Sequence, residues 1–287
     1  MKQIVVISGK GGTGKTTLTS SFAYLAKNRD VADCDVEAPN LNLILNNTPI
    51  KRELYIGGKI AYIDKEKCIE CGKCRSICRF DAIKENFEIN DIKCEGCGAC
   101  VEVCPNEAIK LVDDETGDVI TSSIEGGKFS YAQLRIGADG AGKVVTKVRQ
   151  SLISDKEKPE LVIIDGSPGI GCVVISSLTG CNMAVVVTEP TQSGLEDLMR
   201  VLSLVDYFHM KAYVVINKFD INLEKTKEIE DFCNENNFEV VGKIPFDPYV
   251  SKAIKKSKPV VLFEESIAGK EIRKIWNIIN EKIKEVE

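Results

Sequence analysis

Eight of the twelve cysteines in this 287-residue chain lie between Cys68 and Cys104. They form two runs of one spacing, Cys68-x2-Cys71-x2-Cys74-x3-Cys78 and Cys94-x2-Cys97-x2-Cys100-x3-Cys104-Pro105. Thiolates two residues apart can bind three corners of one iron–sulfur cubane. Pairs of Cys-x2-Cys also bind zinc. A third cysteine at x2 and a fourth at x3, both duplicated, favour iron–sulfur chemistry instead. Six disulfides fit less well, because nothing in the sequence points to an oxidising compartment.

A second constellation opens the chain. Gly9-Lys10-Gly11-Gly12-Thr13-Gly14-Lys15-Thr16 fits G-x-x-x-x-G-K-[ST], between an expected strand, Lys2–Ser8, and an expected helix over 15–27. That context is the one a phosphate loop requires. Glycines let backbone N–H groups wrap phosphates, and the helix N-terminus adds positive potential. Lys15 is expected at the β- and γ-phosphates and the Thr16 hydroxyl on Mg2+, with Thr17 closing the nucleotide-binding run.

The elements that must position these groups alternate. Apolar strands are expected over 2–8, 31–35, 161–165, 183–188, 212–217 and 239–244. Helices are expected over 142–154, 173–178, 194–207 and 223–236, with two more closing the chain. Alternation of this kind predicts an α/β fold, a mostly parallel sheet covered by helices on both faces. The cysteine segment interrupts it. The expected organisation is therefore a nucleotide-binding domain in two parts, 1–58 and 113–287, with an inserted module at 59–112. That insert has few large apolar residues, so its clusters must serve as its core. Lys67, Lys73, Arg75, Arg79 and Lys93 lie among the ligands and partly offset the thiolate charge.

A formal charge of −5 argues against general nucleic-acid binding. No run of eighteen or more apolar residues is present to span a bilayer, and the N-terminus lacks a signal peptide's apolar region and cleavage site. The expected location is cytoplasmic.

The duplicated cysteine run resembles that of bacterial two-cluster ferredoxins, in which the fourth cysteine turns back to the other cluster. The resemblance assigns Cys68, Cys71, Cys74 and Cys104 to one [4Fe–4S] cluster and Cys78, Cys94, Cys97 and Cys100 to the second. Arg79 stands where the second run has Pro105, a change that removes no ligand.

Lys10, the second lysine of the glycine loop, makes the chain resemble the deviant Walker A P-loop NTPases, a group that includes MinD, ParA, the nitrogenase iron protein and Mrp-type cluster carriers. The whole chain is similar to MinD/Mrp-superfamily ATPases with an inserted ferredoxin domain. The resemblance rests on the loop, both cysteine runs, Asp33-Cys34-Asp35 with Glu37-Ala38-Pro39-Asn40, Asp165-Gly166-Ser167-Pro168-Gly169, Thr188-Glu189-Pro190-Thr191 and Ile216-Asn217-Lys218-Phe219-Asp220. It implies ATP, Mg2+ and a homodimer across the ATP site, with Lys10 reaching the partner's nucleotide. It makes Asp35 the residue that orients the attacking water and Asp165 a Mg2+ holder. Asn217 and Lys218, with Pro245, Phe246 and Asp247, would surround the adenine.

Cys34, Cys181 and Cys233 read as small apolar fillers. Cys172, seven residues after Asp165, has two open readings. The iron protein has a bridging-cluster cysteine at this offset, which makes Cys172 a candidate for a labile metal site, but the upstream second ligand is missing from 136–140. The bland reading is a packing cysteine. Ile272, Ile275, Trp276, Ile279, Ile283 and Val286 form a stripe on the last helix. Its polar face carries too many glutamates for an anionic membrane, so docking on the sheet is the expectation. Function is then expected to be ATP hydrolysis coupled to electron transfer or to metallocluster assembly, with a redox partner or an apo-metalloprotein as client. The alternative is a positional or scaffolding ATPase switch in which the clusters are structural.

Overall fold

The computed structural model describes residues 1–138, 141–153 and 159–286. Its strands are β1 (Lys2–Ser8), β2 (Arg29–Asp33), β3 (Thr48–Ile63), β4 (Ile109–Ile124), β5 (Gly127–Leu134), β6 (Leu161–Pro168), β7 (Met183–Thr188), β8 (Lys211–Asn217) and β9 (Glu239–Ile244). The helices are α1 (Lys15–Leu25), α2 (Lys73–Ile77), α3 (Ala99–Glu102), α4 (Ala141–Ile153), α5 (Cys172–Leu178), α6 (Gln192–Tyr207), α7 (Leu223–Glu235), α8 (Pro248–Lys255) and α9 (Ile267–Glu285). Strand order is β3-β4-β5-β2-β6-β1-β7-β8-β9. The pairs from β5–β2 through β8–β9 are parallel.

The chain forms two compact units. The first comprises Met1–Arg52, Val119–Ala132 and the chain from 141 onward. The central strands β1, β6 and β7 are almost wholly buried along their length, as strands covered on both faces must be, so they read as unbroken Val/Ile runs. α9 lays Ile272, Ile275, Trp276, Ile279 and Ile283 into the same core as Ile4, Phe22 and Val185. The apolar stripe at the end of the chain is therefore a docked face. Phe22 and Trp276 meet with ring centroids 5.0 Å apart. Among the described residues no helix is long and apolar enough to cross a membrane.

The second unit comprises Glu53–Asp118 and 133–138. It takes in more chain than the expected 59–112, because β3 and β4 are sixteen-residue strands that run from one unit into the other. Its apolar core is small: Ala61, Ile63, Ile83, Phe87 and Ile109, with Cys74 buried among them and Cys68, Cys78, Cys94, Cys100 and Cys104 packed around.

Candidate functional site: a phosphate loop and two cysteine-lined cavities

At the end of β1 the chain turns through Gly9–Thr16 into α1. Gly12 and Gly14 hold φ of 81° and 93°, which a side chain would strain. A Cβ on Gly14 would stand 2.3 Å from Asn217 Nδ2. That amide donates to the Thr13 carbonyl at 2.7 Å, so the end of β8 clasps the loop through a space only glycine leaves.

Register brings three carboxylates to the same sheet end. In the parallel β2–β6 pair, Asp33 lies opposite Asp165, and in β1–β6, Val6 lies opposite Asp165. Asp35 follows β2 by two residues. Lys15, almost fully buried, places Nζ 3.1 Å from Asp35 Oδ2 and 3.6 Å from Asp165 Oδ1. Burial pulls its pKa down, but the Asp165 and Asp35 charges outweigh this and hold it above the ordinary lysine value. Burial pushes the Asp165 carboxyl up, against the pull of Lys15 and of hydrogen bonds from Thr16 and Thr19. Asp33 is pushed well above the carboxylate range, by burial first and by the Asp165 charge second. Its oxygens accept from the backbone N–H groups of Asp35 and Leu41, each at 3.1 Å, which pins the turn that carries Asp35.

Asp165 Oδ1 accepts from Thr19 Oγ1 at 2.9 Å. Its Oδ2 is buried and has no partner among the described residues. An unmatched buried oxygen costs roughly 1–3 kcal/mol or more, and a hydrated hard cation is the kind of partner that would satisfy it. Thr16 and Asp165 thus come together as a pair able to hold Mg2+.

The remaining expected nucleotide contacts divide. Lys10 Nζ donates to Thr191 Oγ1 at 3.1 Å and Ser193 Oγ at 3.0 Å, at the N-terminus of α6 in its own chain. Lys218 pairs with Glu189 at 2.5 Å. Phe246 is exposed. Asp247 is buried, and its carboxylate accepts from Tyr249 N at 2.8 Å, Ser266 Oγ at 2.6 Å and Ala268 N at 3.0 Å. Those bonds cap α8 and anchor α9; burial alone would raise its pKa, yet the donors hold it below the ordinary value. Thr19 and Ser193 carry no sequence motif of their own, and the motifs that hold Asp33 and Thr191 assign those two no role. Thr19 was findable as the residue one turn beyond Lys15, on the same helix face.

The eight clustered cysteines meet around two small cavities. One is lined by Cys68, Cys71, Cys74 and Cys104, the other by Cys78, Cys94, Cys97 and Cys100. The two halves are related by a shift of 26 residues. Cys68 N bonds Asp64 O as Cys94 N bonds Asn90 O, both at 3.0 Å. Asp64 N reaches Ala108 O at 2.8 Å while Asn90 N reaches Ala82 O at 2.7 Å, so each half closes on the other. Gly72 and Gly98 both precede the short helices α2 and α3 at φ 78°. The crossing explains why Cys104 stands with the first run and Cys78 with the second. Backbone N–H groups point at sulfur from Ala82 to Cys78 at 3.4 Å, from Ala61 to Cys94 at 3.4 Å and from Ala108 to Cys104 at 3.3 Å. Among the described residues no three His, Cys, Asp or Glu groups converge tightly enough for a single metal ion.

Cys34 and Cys233 are buried and Cys181 is half-buried; burial pushes all three thiols up, Cys181 and Cys233 to about 11. They behave as packing residues. Cys172 is exposed at the start of α5. Of the upstream stretch 136–140, residues 139 and 140 lie outside the described residues.

Residues 4–260 match the family model described as the CobQ/CobB/MinD/ParA nucleotide binding domain. An uncharacterised protein of Methanocaldococcus jannaschii is 36% identical over 99% of this chain and 96% of its own length. An iron–sulfur cluster carrier protein of Pyrococcus horikoshii is 23% identical over 99% of this chain and 88% of its own. The septum site-determining protein MinD from Pyrococcus horikoshii, solved with Mg-ADP, superposes with a TM-score of 0.62 at 18% identity, covering 98% of this chain and 96% of that one.

Proposed function

Because this chain belongs to the CobQ/CobB/MinD/ParA nucleotide-binding family, we propose that it binds and hydrolyses ATP as a homodimer and couples that cycle to electron transfer or metallocluster assembly through two [4Fe–4S] clusters. The observation that carries the reading is the sorting of eight cysteines into two four-cysteine cavities, in the register of a two-cluster ferredoxin, within a chain that also holds a phosphate loop. Four thiols spread around a cavity suit a polynuclear cluster better than one ion. Backbone N–H groups aimed at sulfur favour bound thiolates and tune a cluster's potential. The inserted ferredoxin-like module is accordingly 59–112 extended along β3 and β4.

In this reading the loop backbone from Gly9 to Thr17 wraps the phosphates, and Lys15 leaves its carboxylate partners for the γ-phosphate. Lys10 leaves Thr191 and Ser193 to neutralise the nucleotide across the dimer. Thr16 and Asp165 hold Mg2+, the Asp165 oxygen now gaining its missing partner. Asp35, released by Lys15, positions the attacking water. Asn217, Lys218, Pro245 and Phe246 border the base, with Asp247 supporting that loop from beneath. The clusters supply one-electron chemistry.

A second reading, a MinD-like positional switch with structural clusters, draws on the MinD superposition. Iron and acid-labile sulfide analysis of anaerobically purified protein, with ATPase assays, separates them. About eight iron per chain with potentials that respond to nucleotide supports the first reading. Clusters indifferent to nucleotide support the second, and fewer than about four iron defeats the two-cluster assignment.

A further inference from the structure

The 26-residue repeat gives the two halves of the second unit matching turns around their cysteines, so differences between their other side chains do not follow from the cysteine geometry. Around the first run, positions 65–75 carry Lys65, Lys67, Lys73 and Arg75 against Glu66 and Glu70. At the matching positions, 91–101, the chain has Asp91 and Glu95 against Lys93 alone. Where the first half has Glu66, the second has Ile92, an isoleucine 72% exposed.

Ile92 does not stand by itself. It lines a surface cleft of about 350 Å3 with Ile60, Ile136 and the carboxylates of Asp91, Asp113, Asp114 and Glu115. Ile136 is 97% exposed. Two basic groups meet this rim, Lys59 at 2.5 Å from Asp113 and Arg135 at 3.5 Å from Glu115, which leaves the cleft acidic. Exposed apolar side chains ringed by an excess of one sign of charge are the composition of a docking surface. The cleft also backs onto the second cysteine cavity. Ile60 faces the cleft and Ala61 the cavity, where the Ala61 N–H points at Cys94; Ile92 stands two residues before Cys94; Leu111 lines the cavity two residues before Asp113.

We propose that this cleft docks a protein redox partner whose contact face is an apolar side chain ringed by lysines or arginines, and that electrons leave the protein through the second cysteine set. The inference rests on the two-cluster reading above. One electron passes from the reduced site beside Cys94 to the oxidised partner, which gains that electron and needs no proton from this chain. The basic surroundings of the first run make it unsuited to the same partner.

Mitochondrial ferricytochrome c, a basic-faced one-electron acceptor, serves as the probe with the dithionite-reduced, iron-loaded protein. Stopped-flow oxidation is expected to slow steeply with added salt. It should slow severalfold in Ile136→Ser and at least tenfold in Asp91→Lys/Asp114→Lys, beyond what any measured shift in potential accounts for, with iron content unchanged. Lys65→Glu, beside the first run, should leave the rate within about twofold. Carbodiimide cross-linking should join cytochrome lysines to carboxylates at 91 and 113–115. Equal sensitivity at both ends, cross-links confined to the first run, or faster reaction with an acidic flavodoxin would overturn the proposal. So would sedimentation showing that Ile136→Ser disperses a self-associated form, because the cleft would then belong to a second copy. Wild-type protein with fewer than about four iron would instead remove the two-cluster reading beneath it.

Discussion

Lys15 Nζ lies 3.1 Å from Asp35 Oδ2, so the lysine expected on the γ-phosphate and the aspartate expected on the attacking water hold one another. In the proposed cycle nucleotide binding separates them, so that the role proposed for Asp35 waits on the phosphate drawing Lys15 away. Asp35→Ala should therefore bind ATP at least as tightly as the wild type while turnover falls roughly 100-fold or more. Equilibrium binding and single-turnover hydrolysis check both halves.

Lys15→Ala should lose nucleotide binding and also weaken the fold. Asp165 and Asp33 are buried, and removing their cation costs on the order of 3–5 kcal/mol unless they take up protons. Chemical denaturation at pH 5 and pH 8 tests this, with the larger deficit expected at pH 8.

The loop clasp can be tested without touching phosphate ligands. Asn217→Ala removes the bond to the Thr13 carbonyl, a neutral contact worth about 0.5–1.5 kcal/mol, so ATP affinity should fall roughly 2- to 10-fold. Gly14→Ala should be far worse, since its Cβ meets Asn217 at a φ of 93°. Calorimetric titration with a non-hydrolysable ATP analogue reads both.

Three buried aspartates give two opposite pH signatures. Asp33 and Asp165 titrate higher in the folded state. The stability they contribute is complete below the unfolded value of about 3.9 and is lost as pH rises through the folded values. The melting temperature of Asp33→Asn relative to wild type should thus climb with pH. Asp247 titrates lower when folded, so its contribution is present above about 3.9 and is lost as pH falls through the folded value. Asp247→Asn should be most harmful near neutrality, and its deficit should shrink in acid.

Iron removal and cysteine replacement address the second unit. Cys104→Ser should disturb the cluster assigned to Cys68, Cys71 and Cys74 rather than the one assigned to its immediate neighbours Cys97 and Cys100. Electron paramagnetic resonance of each single variant distinguishes the two signals. Because the apolar core there is so small, chelation should unfold the second unit. The first unit should keep its melting transition and its affinity for ATP.

Much of this architecture was legible in the residues themselves. The glycine loop stands between the expected strand and helix, and the eight cysteines line two cavities in the grouping that the ferredoxin resemblance implies. What was hidden depends on register or distance. The motif gives Asp33 no role, and only β2–β6 pairing shows it buried opposite Asp165. The support that Asp247 receives from Ser266 and Ala268, nineteen or more positions away, has no local signal in the sequence. The acidic cleft could not be read at all, since Asp91, Asp113 and Ile136 meet only after β4 and β5 bring distant segments together. The bonds of Lys10 to Thr191 and Ser193, 181 and 183 residues away, are likewise visible only in the folded chain.

The most direct test of coupling between ATP and the clusters is an anaerobic redox titration followed by electron paramagnetic resonance, with and without MgATP. The account predicts two four-iron signals, at least one of which changes potential or line shape when nucleotide binds, with Asp35→Ala retaining the change and Lys15→Ala losing it. Identical titrations in the presence and absence of MgATP would contradict it.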